Sequence, residues 1–138
     1  MGDLSPNFST SELACRHCGQ CVLDPALVPA LEELRAKAGT AVMIHCAYRC
    51  PAHNAEVPGA VADSTHLKGQ GADLHIVGKS LAEMFLLAES VPAFKNGGIG
   101  VYDGNFIHVD VRGHRARWSR VHGKYGPLSA LLPGLEGA

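Results

Sequence analysis

Two stretches of this chain carry ionisable residues at alternate positions inside apolar runs: Asp73-Leu74-His75-Ile76 and Phe106-Ile107-His108-Val109-Asp110. A strand sends successive side chains to opposite faces, so each stretch has an apolar face and an ionisable one. If the two strands are neighbours, Asp73, His75, His108 and Asp110 share one side of the sheet. Their apolar partners then demand cover on the other side. That requirement constrains the fold more than anything else in the sequence. The wider composition supplies further ligands: 138 residues include 8 His and 5 Cys, and an odd Cys count excludes complete internal disulfide pairing.

The whole chain, 1–138, reads as a single domain of the α+β class, a small and mostly antiparallel sheet with two main helices. Residues 1–23 form an extended lead-in with one short helix capped by Thr10 or Ser11. Asp24-Pro25 opens a longer helix, Asp as its cap and Pro in its first position, which Gly39 ends. Pro29 sits awkwardly within its apolar repeat of Leu27, Val28, Leu31 and Leu34. Residues 41–44 form a strand, 46–71 are mostly loop, and 72–77 form the next strand. Ser80-Leu81-Ala82-Glu83 is a capping box opening a helix to about Val91. Residues 97–102 and 106–111 are strands joined at the Asp103-Gly104 turn, and 119–138 read as a C-terminal tail.

With a formal net charge of -1, no field draws the chain to nucleic acid or to an anionic membrane. Charged residues make up 18% and apolar residues 46%, which excludes disorder, and no apolar run approaches a membrane span. Met1-Gly2-Asp3-Leu4-Ser5-Pro6 shows no signal peptide. A monomer is expected.

Chemistry gathers around His66. It opens the run Ser64-Thr65-His66-Leu67-Lys68-Gly69-Gln70-Gly71-Ala72-Asp73, whose glycines let the loop fold back so that His66 meets Asp73. Together with His108 these offer three N/O ligands, the set of a catalytic zinc site with one position left to water. A histidine taken alone is more often a satisfied core or surface residue than a ligand.

Ser64-x-His66-x-x-Gly69-x-Gly71-x-Asp73, with Tyr48-Arg49 and Asn54 before it and Phe106-Ile107-His108-Val109-Asp110 after it, resembles the zinc D,D-carboxypeptidases of peptidase family M15. The likeness is to their small bacterial and phage branch, and it runs from Leu4 to Trp118. The resemblance implies the fold shared with the hedgehog signalling domain, a Zn2+ cofactor held by His66, Asp73 and His108, and a peptidoglycan stem peptide cut at a D-amino-acid bond. The bacterial cell wall or periplasm would be the site of action. It makes Arg49 the group that polarises the substrate carbonyl, the alternative being a structural salt bridge with Asp63 or Glu56, and it places Ser64 and Tyr48 at the substrate. Many members carry a general base three or two residues before the last ligand, but Asn105 and Phe106 stand there in this chain. Asp110 is the remaining candidate, either as base or as a partner orienting a ligand imidazole. Gly71 replaces the family's usual Ala, a change read as minor because both are small.

Cys15, Cys18 and Cys21 are closely spaced, and Cys46 and Cys50 stand where members of that family usually have small hydroxyl or Gly residues. Four thiolates are enough for a structural zinc or an iron–sulfur cluster, with His17 able to replace one. Disulfides in an exported protein, or free buried thiols, are the alternatives. Two rival readings follow: a zinc-containing peptidoglycan-binding or phage-tail and envelope module that has lost catalysis, and a Cys-centred redox or iron–sulfur protein.

Overall fold

The two alternating stretches fold as adjacent strands. The computed structural model describes residues 3–15, 19–49, 65–66 and 68–134. Six strands form one sheet: β1 (Val42–Cys46), β2 (Gly71–Ile76), β3 (Gly98–Tyr102), β4 (Phe106–Asp110), β5 (Ala116–Val121) and β6 (Lys124–Gly126). Their order is β1-β2-β4-β3-β5-β6, with every neighbouring pair antiparallel except β3 and β5. The helices are α1 (Thr10–Leu13), α2 (Leu27–Ala38), α3 (Leu81–Glu89) and α4 (Pro92–Lys95), with a 3-10 turn at Leu128–Ala130. The class is α+β, as expected. Among the described residues no helix is long and apolar enough to cross a membrane.

Burial follows the alternation. Ala72, Leu74 and Ile76 of β2, Ile99 and Val101 of β3, and Ile107 and Val109 of β4 enter one core with Leu27, Leu31 and Leu34 of α2, Met84 and Phe85 of α3, and Phe94 of α4. Phe8 and Leu13 of the lead-in complete it. The odd-numbered residues of β2 and the even-numbered residues of β3, β4 and β5 are left on the opposite face.

Local chemistry explains the element ends. Ser9, one residue earlier than expected, caps α1 in a capping box with Glu12, and the Ser80/Glu83 box opens α3. Helix α2 begins at Leu27 and takes Pro29 into its first turn, where a missing N–H costs nothing because such groups lack helical partners. Gly39 ends α2 in the left-handed region at φ 69°, its N–H bonded to the Arg35 carbonyl. The expected C-terminal tail is corrected in part: residues 116–121 and 124–126 extend the sheet as β5 and β6.

Candidate metal centre

Register brings the ionisable residues together. Asp73 on β2 lies directly opposite His108 on β4, and the same row continues to Cys46 on β1, Gly100 on β3 and Trp118 on β5. His66 comes from the preceding loop. Its turn is closed by Gly69, whose φ of 68° and approach to the Val22 carbonyl leave no room for a Cβ. Two bonds fasten His66 to residues 47–49: the Arg49 N–H donates to the His66 carbonyl at 3.1 Å, and the His66 Nδ1–H donates to the Ala47 carbonyl at 2.6 Å.

Asp73 Oδ1 is the point of convergence. His108 Nδ1 stands 2.9 Å from it and His66 Nε2 stands 3.3 Å from it. The outer nitrogens face elsewhere: His66 Nδ1 to Ala47, and His108 Nε2 to Asp110 Oδ2 at 2.7 Å. Both rings therefore aim their inner nitrogens at one spot while the outer ones are held. This is how a protein orients imidazoles for a metal ion. His66, Asp73 and His108 offer ligand atoms within 4.8 Å of one another, and they are the one such group among the described residues. The imidazoles are 4% exposed, so the donors are fixed by packing.

The electrostatics follow from the contacts. Burial acts to raise the Asp73 pKa, but hydrogen bonds from His108 and His66 outweigh it and hold the carboxyl well below its usual range. Burial likewise works against charge on His108 and His66, yet the bonds to Asp110 and Asp73 raise the first and the bonds to Asp73 and Cys46 raise the second. The pocket thus favours cations in the place where the three side chains meet.

Asp110 is fully occupied. Its Oδ1 accepts the Gly98 N–H at 2.8 Å, the Arg112 N–H at 3.1 Å and Arg112 Nε at 2.9 Å; its Oδ2 faces His108 Nε2 and Arg112 Nη2, each at 2.7 Å. Buried at 0% exposure, it is held far below the usual carboxylate range: desolvation opposes this, and the His108 and Arg112 bonds prevail.

Glycines clear the ground. A Cβ on Gly98 would lie 2.4 Å from Asp110 Oδ2, and one on Gly100 would lie 2.4 Å from the Trp118 indole. Gly71 is not the minor change it looked: a Cβ there would meet His108 Cε1 at 2.8 Å and Thr65 Oγ1 at 2.5 Å.

The comparison with known proteins decides the family. The family model described as Peptidase M15 matches residues 6–110. The chain belongs to peptidase family M15. Similar relatives are the peptidoglycan L,D-endopeptidase MepK of Escherichia coli (strain K12) and its namesake of Shigella flexneri, each 36% identical over 95 residues, which is 64% of this chain and 50% of the relative. The chain spans about half the length of the curated relatives it matches.

Other expected residues of this M15 chain are placed less centrally. Arg49 is buried beside His66. Tyr48 packs with Cys15 and Leu23 and is 7% exposed. Ser64, Cys18, Cys50, Asp63 and Glu56 lie outside the described residues. Cys21 and Cys46 are free thiols, Cys15 is buried, and no described cysteine joins a group of three metal-ligating side chains. His75 shares the face but not the cluster. It pairs with His45, Nδ1 to Nε2 at 2.6 Å, because β1 slips register between Ile44 and Cys46 and re-aims His45. Sequence reasoning missed Arg112, Thr65 and Trp118. The one available signal for Arg112 was its spacing of two from Asp110.

Proposed function

We propose that this chain is a zinc-dependent peptidase cutting D-amino-acid-containing bonds of peptidoglycan stem peptides. The observation that carries the reading is the convergence of His66 Nε2 and His108 Nδ1 on Asp73 Oδ1, with both outer ring nitrogens already engaged. Two nitrogens and one carboxylate oxygen are the donor set of catalytic zinc sites. A zinc ion held there supplies a Lewis acid for the scissile carbonyl and a water of lowered pKa. The M15 membership and the printed activity of MepK support peptidoglycan as the substrate and make an L,D bond the first to assay, ahead of a terminal D-Ala-D-Ala.

The chain's own groups do the remaining work. Arg49 offers its guanidinium to the oxyanion that forms as the carbonyl is attacked. Asp110 holds the proton of His108 on Nε2 and keeps Nδ1 free to ligate. That is a positioning role, since a buried carboxylate with five donors around it has no lone pair to take a proton from water. Ser64 contributes a hydroxyl to substrate binding.

A second reading has one observation in its favour. Asn105 and Phe106 bring no proton acceptor to the positions before His108, and Asp110 is saturated. A zinc-containing peptidoglycan-binding module without turnover fits that too. Incubating the zinc-loaded protein with purified muropeptides and reading products by mass spectrometry separates the two. Release of fragments cut at a D-amino-acid bond, lost on chelation and in Asp73→Ala, supports the enzyme. Intact muropeptides that co-sediment with the protein support the binding module.

A further inference from the structure

The face that carries the metal centre also carries a cation with no counter-charge among the described residues. Residues 111–134 contain Arg112, Arg115, Arg117, Arg120 and Lys124 and no Asp or Glu. Three of these arginines are spoken for: Arg112 by Asp110, and Arg115 and Arg117 by Glu89. Arg120 has no acidic partner among the described residues. Its Nε is buried and makes no hydrogen bond. Trp118 Nε1, two residues earlier on the same face of β5, is also buried, with the Tyr102 hydroxyl as its neighbouring polar group. A desolvated donor such as the Arg120 Nε is costly unless an acceptor arrives.

The surroundings hold the guanidinium in place. Arg120 lies opposite Tyr102 on β3, Tyr102 stacks on Phe106 of β4 at 4.6 Å, and the Arg120 Cζ stands 5.0 Å from the centre of the Tyr125 ring. The Arg120 carbonyl accepts the Asp103 N–H, which ties the strand to the hairpin. The aromatic strip is the row next to Asp73–His108–Gly100–Trp118. Two strand spacings and two residues along the chain separate the backbones of Arg120 and His108 by roughly 12 Å. An extended peptide advances about 3.4 Å per residue. A group bound at Arg120 therefore lies about three to four residues from a carbonyl placed at the metal ligands.

We propose that Arg120, on the same face of β5 as the Trp118 indole, is a carboxylate-binding subsite that selects substrates carrying a free carboxylate about three to four residues from the bond cut. A guanidinium carries only donors, so it matches a planar carboxylate and disfavours a carboxamide, which brings its own donors to the same place. The inference rests on the peptidase reading above for the word substrate. The recognition of a carboxylate does not depend on it.

The test pairs a peptidoglycan stem peptide with free side-chain and α-carboxylates against the same peptide with those carboxylates, one at a time, made into carboxamides. Wild type, Arg120→Ala, Arg120→Lys and Lys124→Ala are compared for kcat, KM and, by calorimetry, peptide affinity. For one of the carboxylates, Arg120→Ala raises KM about ten- to a hundredfold with kcat largely kept, and the penalty disappears on the matching carboxamide. Arg120→Lys recovers part of the loss, and Lys124→Ala, an exposed charge of the same sign, matches wild type. Equal losses on every peptide, or none, overturn the proposal. If wild type cuts nothing yet binds the carboxylate peptide at least tenfold more tightly than Arg120→Ala does, the subsite stands and the peptidase reading falls. Equal binding by both proteins sinks the subsite whatever the turnover.

Discussion

At the scale of single residues the centre depends on groups that touch no metal. Asp110 keeps the His108 ring turned so that Nδ1 points at Asp73, and Gly98 leaves the space in which that carboxylate sits. Asp110→Ala is expected to weaken zinc affinity about ten- to a hundredfold with all three ligands intact, as competition against a chelating dye would measure. Gly98→Ala should give a loss of similar direction, because its Cβ meets Asp110 Oδ2 at 2.4 Å and the buried carboxylate has nowhere to move. An unchanged zinc affinity in Gly98→Ala would show that Asp110 does not position the ring. The grouping of His66, Asp73 and His108 was legible in the order of the motifs, since spacing alone left each histidine open to a bland role. Arg112 and the glycines were not, because neither a positive charge after a strand nor a glycine within one announces a contact made across the sheet.

Secondary elements deliver those residues. Strands β2 and β4 were readable because every second residue is an apolar group buried in the core. Strand β5 was not: its core-facing positions are Arg117, Ser119 and Val121, and Arg117 is tolerated there only because Glu89 and the Gly97 carbonyl take its guanidinium. No periodicity of apolar residues survives that exchange. The lead-in is fastened by one side chain. Glu32 of α2 accepts from the Ser5 hydroxyl at 2.5 Å and from the Asn7 N–H and amide at 2.7 Å each. Slight burial opposes ionisation, but these bonds prevail and lower the Glu32 pKa below its ordinary value. A carboxylate whose pKa is lower in the folded state stabilises above its unfolded pKa, and the gain is lost as pH falls through the folded one. Glu32→Gln is thus expected to cost about 1 kcal/mol at most at pH 7, the exposure of the cluster screening it, with the gap from wild type narrowing below about pH 4. Denaturant titrations at pH 7 and pH 3.5 read this directly. A gap that stays constant with pH would assign the clamp to shape rather than charge.

For the whole molecule, the sheet separates two functions. One face is the core, and removing Phe85 from it by Phe85→Ala should destabilise the fold by about 3–5 kcal/mol in chemical denaturation. The other face is the centre, built from four strands and one loop that are far apart in sequence. That placement is why the core can be altered with the ligand geometry kept, and why the site was only partly visible before the register was known. The central claim is that one zinc is held by His66, Asp73 and His108. Its most direct test is zinc content per chain by elemental analysis on wild type and His66→Ala purified side by side, with circular dichroism confirming that both are folded. About one zinc in the wild type and essentially none in His66→Ala is the predicted result. Equal zinc in the two proteins would place the metal elsewhere, on the cysteines first of all, and would contradict the account.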